Sequence, residues 1–91
     1  MITWDEVKRQ ANLDKHGLDF ADAWMVYSSP DKITLESPRN SEDRKLDLAL
    51  VEVRGIVLAL VYVERGVEVR AISLRRASRI ERRIYENAQQ D

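Results

Sequence analysis

KLDLALVEVRGIVLALVYVERGVEVRAISL, residues 45–74, decides the fold. Leu46, Leu48 and Leu50 alternate with Lys45, Asp47 and Ala49, the period of a half-buried strand running to Val53. Arg54-Gly55 turns the chain, and Ile56 to Glu64 is almost wholly apolar and rich in β-formers, as expected of a strand covered on both faces. Arg65-Gly66 is a second tight turn, and Val67 to Leu74 is the next strand. Two short glycine turns in succession predict an antiparallel meander.

Upstream, Ile33-Thr34-Leu35-Glu36 is a further short strand, followed by a loop at Ser37-Pro38-Arg39-Asn40-Ser41. Before it the period is helical. Thr3 and Glu6 have capping-box spacing, Trp4, Val7, Ala11 and Leu13 give that helix an apolar side, and Gly17 ends it. Asp19 caps a shorter helix to about Tyr27, with Phe20, Ala23, Trp24 and Tyr27 on one side; Trp4, Phe20 and Trp24 read as core. Ser28-Ser29-Pro30-Asp31 breaks this second helix. Downstream, Ser78 and Glu81 form another capping box. A last helix then runs from about Arg79 to Ala88, with Ile80, Ile84 and Ala88 as its buried stripe and Arg79, Arg82, Arg83 and Glu86 outside. The predicted order is ααββββα: an α+β fold with two N-terminal helices, a four-stranded antiparallel sheet and a C-terminal helix, in one domain over residues 1–91.

The 91 residues are 44% apolar and contain no cysteine, which excludes a disulfide framework and a thiolate metal site. The absence of cysteine fits a reducing cytoplasm. The first residues, Met1-Ile2-Thr3-Trp4-Asp5, lack the charged and apolar regions of a signal peptide, and the run from Ile56 to Val63 is too short to span a bilayer, so no membrane association is expected. The net charge of −1 hides an asymmetry: residues 1–64 carry 8 basic and 12 acidic side chains, whereas residues 65–86 carry 7 arginines against Glu68, Glu81 and Glu86. An arginine-rich end on an acidic body points to a localised anion-binding surface; a merely solvated helix face is the alternative.

Lys8, Asn12 and Lys15 fall at i, i+4 and i+7, so they share one helix face that ends in Lys15-His16-Gly17. His16 is the single histidine and sits at a helix C-terminus, where the dipole favours its protonated form and a role as acid or phosphate contact. The alternative is a residue that only caps terminal carbonyls.

The pattern Trp4-Asp5-x-x-Lys8-x-x-x-Asn12-x-x-Lys15-His16-Gly17-x-x-Phe20-x-x-Ala23 resembles the start of the BrnT toxin family. Glu42-x-Arg44, Val61-Tyr62-x-x-Arg65-Gly66, Arg70-x-Ile72-Ser73-x-Arg75-x-Ala77, Glu81 and Tyr85 continue the likeness over nearly the whole chain. Ala49 and Leu74 stand where the family usually has Gly and Ala. The resemblance implies a RelE-like fold and a ribonuclease toxin of a type II toxin–antitoxin system. It also implies a BrnA-like antitoxin partner with a ribbon-helix-helix DNA-binding part.

Cleaving RNA without metal needs a base for the 2′-hydroxyl, cations for the phosphorane charge and an acid for the leaving oxygen. His16 with Lys15, Glu42 with Arg44, and Arg70 with Arg75 are the candidate catalytic residues, with the choice of base open between Glu42 and His16. Arg75, between the last strand and last helix, is placed to present its fork to phosphate; Arg70 either joins it or pairs with Glu64 or Glu68. Lys8, Arg79 and Tyr85 are candidate RNA contacts, although for Tyr85 a half-buried core residue is the favoured alternative. One histidine and no cysteine make a metal site or other cofactor unexpected. The alternative function is a non-catalytic module that holds a DNA-binding antitoxin and acts in operon repression.

Overall fold

The computed structural model describes residues 1–37, 44–51 and 55–90. Its elements are β1 (Ile2–Thr3), α1 (Glu6–His16), a 3-10 turn (Phe20–Asp22), α2 (Ala23–Tyr27), β2 (Ile33–Ser37), β3 (Arg44–Val51), β4 (Ile56–Arg65), β5 (Glu68–Arg76) and α3 (Arg79–Ala88). The α+β class and the β2–β5 meander agree with the sequence pattern. The sheet, however, has five strands in the order β1-β5-β4-β3-β2, and it is mixed, because β1 runs parallel to β5 through Ile2↔Val69 and Thr3↔Arg70.

That extra strand also corrects the start of α1. Thr3 is drawn into the sheet, and Asp5 caps the helix instead, its carboxylate accepting from the N–H groups of Val7 at 2.8 Å and Lys8 at 3.3 Å. Gly17 closes α1 at φ 69°, a left-handed position suited to glycine. At the other end the expected Ser78–Glu81 capping box forms in full.

One sheet face packs against α1, the 3-10 turn and α2. Its core is Leu18, Phe20, Ala23, Val26, Ala49, Leu58, Leu60, Tyr62, Val69, Ala71 and Leu74. The opposite face carries α3 over Leu48, Val57 and Ala59, with Tyr85 as the helix's buried anchor. Two apolar expectations fail here. Trp24 is 57% exposed, and the α3 stripe is not buried, with Ile80 73% and Ile84 38% exposed and Ala88 also exposed. The side of α3 that meets the sheet is the one bearing Tyr85 and Glu81.

A register shift between Val61 and Tyr62 decides which side chains of β5 face which layer. Tyr62 pairs with Ala71, but Val61 pairs with Ser73, so Ile72 is the extra residue of a bulge. Unbroken alternation would put Ser73 and Arg75 on the face of Val69 and Ala71. The bulge instead turns Leu74 into the first core and sends Ser73 and Arg75 to the α3 face, where Arg70 already lies.

Candidate functional site

The α3 face of the sheet gathers most of the arginines expected at a site. Arg44 and Arg70 both pair with Val63, one from each neighbouring strand, so they flank it on one face with Cα atoms about 10 Å apart. The next row on this face is Leu46, Val61 and Ser73, and the next is Leu48, Ala59 and Arg75. Tyr85 of α3 packs over the last of these rows, Leu46 packs against that cluster, and Leu46, Val61 and Ser73 are half-buried.

At the β5 edge, α1 adds a second wall. Lys8, Ala11, Asn12, Lys15, His16, Ile72 and Ser73 line an open cleft of about 240 Å³. Lys8, Lys15 and His16 are thus brought to one cleft, and Ser73 lies between it and the arginine face. Asn12 has a different task within the same stripe: it is 8% exposed and fastens α1 to β5 through the Leu74 backbone and to the segment after Gly17 through the Leu18 carbonyl. Sequence reasoning did not single out Ile72 and Ser73 as lining residues. Their signal was the spacing Val69, Ala71, Leu74, whose step of three in a period-two run marks the bulge.

His16 behaves opposite to the expectation from the helix dipole. Burial, then the neighbouring charges of Lys15 and Arg75, hold its pKa below the ordinary value of 6.5. Desolvation and two cations push the imidazole toward its neutral form, the opposite direction to the helix dipole, and a neutral imidazole can accept a proton. Arg75 is thus within electrostatic reach of His16, as a shared site requires.

The Arg75 fork is already taken. Its two terminal nitrogens bond both Glu81 carboxylate oxygens, at 2.7 and 3.0 Å, and the first also donates to the Arg76 carbonyl at 3.3 Å. This pairing raises the Arg75 pKa and pulls Glu81 down to about 2, helped by the Ser78 N–H. The guanidinium expected to grip phosphate is therefore held by α3, and its charge reaches the cleft from a fixed position.

Tyr85 is corrected as an RNA contact: at 7% exposed, packed with Leu48, Val57 and Ala59, its ring is not accessible for stacking. Arg79 is exposed in the first turn of α3. Glu42 lies outside the described residues. Among the described residues no group of three or more His, Cys, Asp or Glu could hold a metal ion, and no helix is long and apolar enough to cross a membrane.

The fold is a small α+β domain that places Lys8, Lys15 and His16 in one cleft beside β5 and Arg70 and Arg75 on the adjoining sheet face, a cationic arrangement suited to an anionic ligand. Residues 4–81 match the family model described as "Ribonuclease toxin, BrnT, of type II toxin-antitoxin system", and the chain belongs to that family. Membership implies an antitoxin partner. No curated protein matches the chain.

Proposed function

We propose that this chain is a metal-independent endoribonuclease of RelE-like fold that acts in the cytoplasm and slows growth by cutting RNA. In this reading a BrnA-like antitoxin with a ribbon-helix-helix part restrains it, and the pair contacts DNA only through that antitoxin. The observation that carries the reading is His16 lying with Lys8 and Lys15 in one cleft lined by Ser73, its pKa lowered by burial, Lys15 and Arg75.

His16 takes the proton from the RNA 2′-hydroxyl as the 2′-oxygen bonds to phosphorus. The bond from phosphorus to the 5′-oxygen breaks, and Lys15 supplies the proton to that leaving oxygen. Arg70 and Arg44, across Val63 from each other, stabilise the charge on the non-bridging oxygens, while Lys8 and Arg79 contact flanking phosphates. Glu42 keeps its place in the proposal as a further carboxylate near Arg44 in sequence.

Purified protein is incubated with RNA in the presence of a chelator, wild type beside His16→Ala. Cleavage by wild type and a loss of roughly 100-fold or more in the variant are expected. Intact RNA with wild type, or an equally active variant, rejects the catalytic reading.

A further inference from the structure

Helix α3 has a complete N-terminal capping box and a buried anchor in Tyr85, yet leaves Ile80 73% and Ile84 38% exposed. Ile80 and Ile84 lie at i and i+4, forming one apolar strip. Arg82 and Glu86 face a recess shared with Leu50, Gly55, Ile56 and Val57, at the β3–β4 turn. With Tyr85 on the sheet, helical spacing turns Ile80 and Ile84 to the opposite flank. There they lie toward the Leu46–Val61 row of the same sheet face, whose side chains are half-buried and form the floor. The result is a trough with an aliphatic wall and an aliphatic floor. Its rim is basic: Arg83 is exposed on the outer surface of α3 with no side-chain partner among the described residues, and Arg70 stands on the sheet.

We infer that this trough is the docking surface for an acidic amphipathic segment of the antitoxin, whose apolar side chains cover Ile80 and Ile84 while its carboxylates meet Arg83 and Arg70. The inference rests on reading the chain as a toxin held by an antitoxin. Charge complementarity selects an acidic segment, and the aliphatic walls select protein over RNA, because single-stranded bases are held chiefly by aromatic stacking. Exposed apolar residues in such a patch are what a helix-in-groove partner uses as anchors. A segment bound there also covers Arg70, so docking closes the arginine face.

The test uses the chain with its cognate antitoxin. Arg83→Glu is an exposed change and should melt at the wild-type value, whereas Ile84 is 38% exposed, so Ile80→Ser/Ile84→Ser should melt somewhat lower and its affinity is read well below that melting point. The dissociation constant for the antitoxin, by calorimetry, should rise roughly 10- to 100-fold for the double variant, and RNA cleavage in the same preparations should not change. Unchanged antitoxin affinity overturns the inference. So does loss of RNA cleavage with antitoxin affinity retained, which would make the trough an RNA surface. A wild-type dimer that the double variant dissociates, with antitoxin affinity retained, would assign it to a second copy and also overturn the inference. If wild type binds antitoxin but cuts no RNA, the ribonuclease reading fails separately from this one.

Discussion

The side-chain amide of Asn12 pairs with the backbone of Leu74 as a neighbouring strand would. Nδ2 donates to the Leu74 carbonyl at 2.8 Å, and the Leu74 N–H donates to Oδ1 at 3.1 Å. The same Nδ2 reaches the Leu18 carbonyl at 3.0 Å. β1 pairs with β5 only at Val69 and Arg70, so beyond Arg70 the edge backbone needs another partner, and Asn12 provides it. Asn12→Ala leaves a buried N–H and two carbonyls short of a bond, and should cost about 2–4 kcal/mol. For a domain of this size that lowers Tm by roughly 10–20 °C. Asn12→Asp keeps an acceptor but sets a carboxylate against two carbonyl oxygens, and should rescue nothing. A melting curve of either variant that overlays wild type would show that the pairing contributes little.

The Arg75–Glu81 pair makes stability depend on acid. Glu81 titrates at about 2 in the folded chain, well below an ordinary glutamate, chiefly because Arg75 bonds its carboxylate. A depressed folded pKa contributes stability above the unfolded value and loses it as pH falls toward the folded one. The loss should therefore spread from about pH 5 to pH 2, and Asp19, also held at about 2 by Arg9, acts in the same window. Glu81→Gln should be less stable at pH 7 and show a shallower fall with acid in urea melts. Parallel acid limbs for variant and wild type would remove Glu81 from the account.

The lowered pKa of His16 can be read directly. Burial, Lys15 and Arg75 each lower its pKa, so its imidazole should titrate below 6.5 by NMR. Lys15→Ala and Arg75→Ala should each move the midpoint upward, and the acid limb of RNA cleavage should follow the same midpoint. A midpoint above 6.5, or one indifferent to both variants, would restore the helix dipole as the dominant influence and return His16 to the role of acid.

The meander, the Gly17 cap and the Ser78–Glu81 box were legible because each has a local cause: a period of two, a left-handed glycine, a reciprocal pair of hydrogen bonds. β1 was not legible, since Ile2 and Thr3 are too few to carry a period and owe their pairing to β5. The stripe of Ile80 and Ile84 was seen as apolar but placed on the wrong side, because helical periodicity gives the angle between residues and not which angle meets the sheet; Tyr85 took that position. Arg75 was legible as a charged group near His16. Its closed fork was not, since the partner Glu81 already had a sufficient local reason to be there in the capping box.

Asp47 tests how the other face is held. Its carboxylate is fully buried and accepts from Lys32 Nζ at 2.8 Å, Thr34 Oγ1 at 2.6 Å and Tyr62 Oη at 3.0 Å. Lys32 also sits 4.1 Å from the Tyr27 ring centre, and burial together with Asp47 pushes the Tyr62 hydroxyl pKa upward. Lys32→Met leaves the buried carboxylate without its cation and should cost about 2–4 kcal/mol, somewhat less than for a fully buried pair because Lys32 is partly exposed. Tyr62→Phe removes one of three hydrogen bonds and should cost about 1–2 kcal/mol. In Lys32→Met/Asp47→Leu neither charge remains, so the double variant should be less destabilised than the two single changes added together, by about 1–3 kcal/mol. Urea melts of the four proteins in that cycle decide the point, and simple additivity would mean that Lys32 and Asp47 do not stabilise each other.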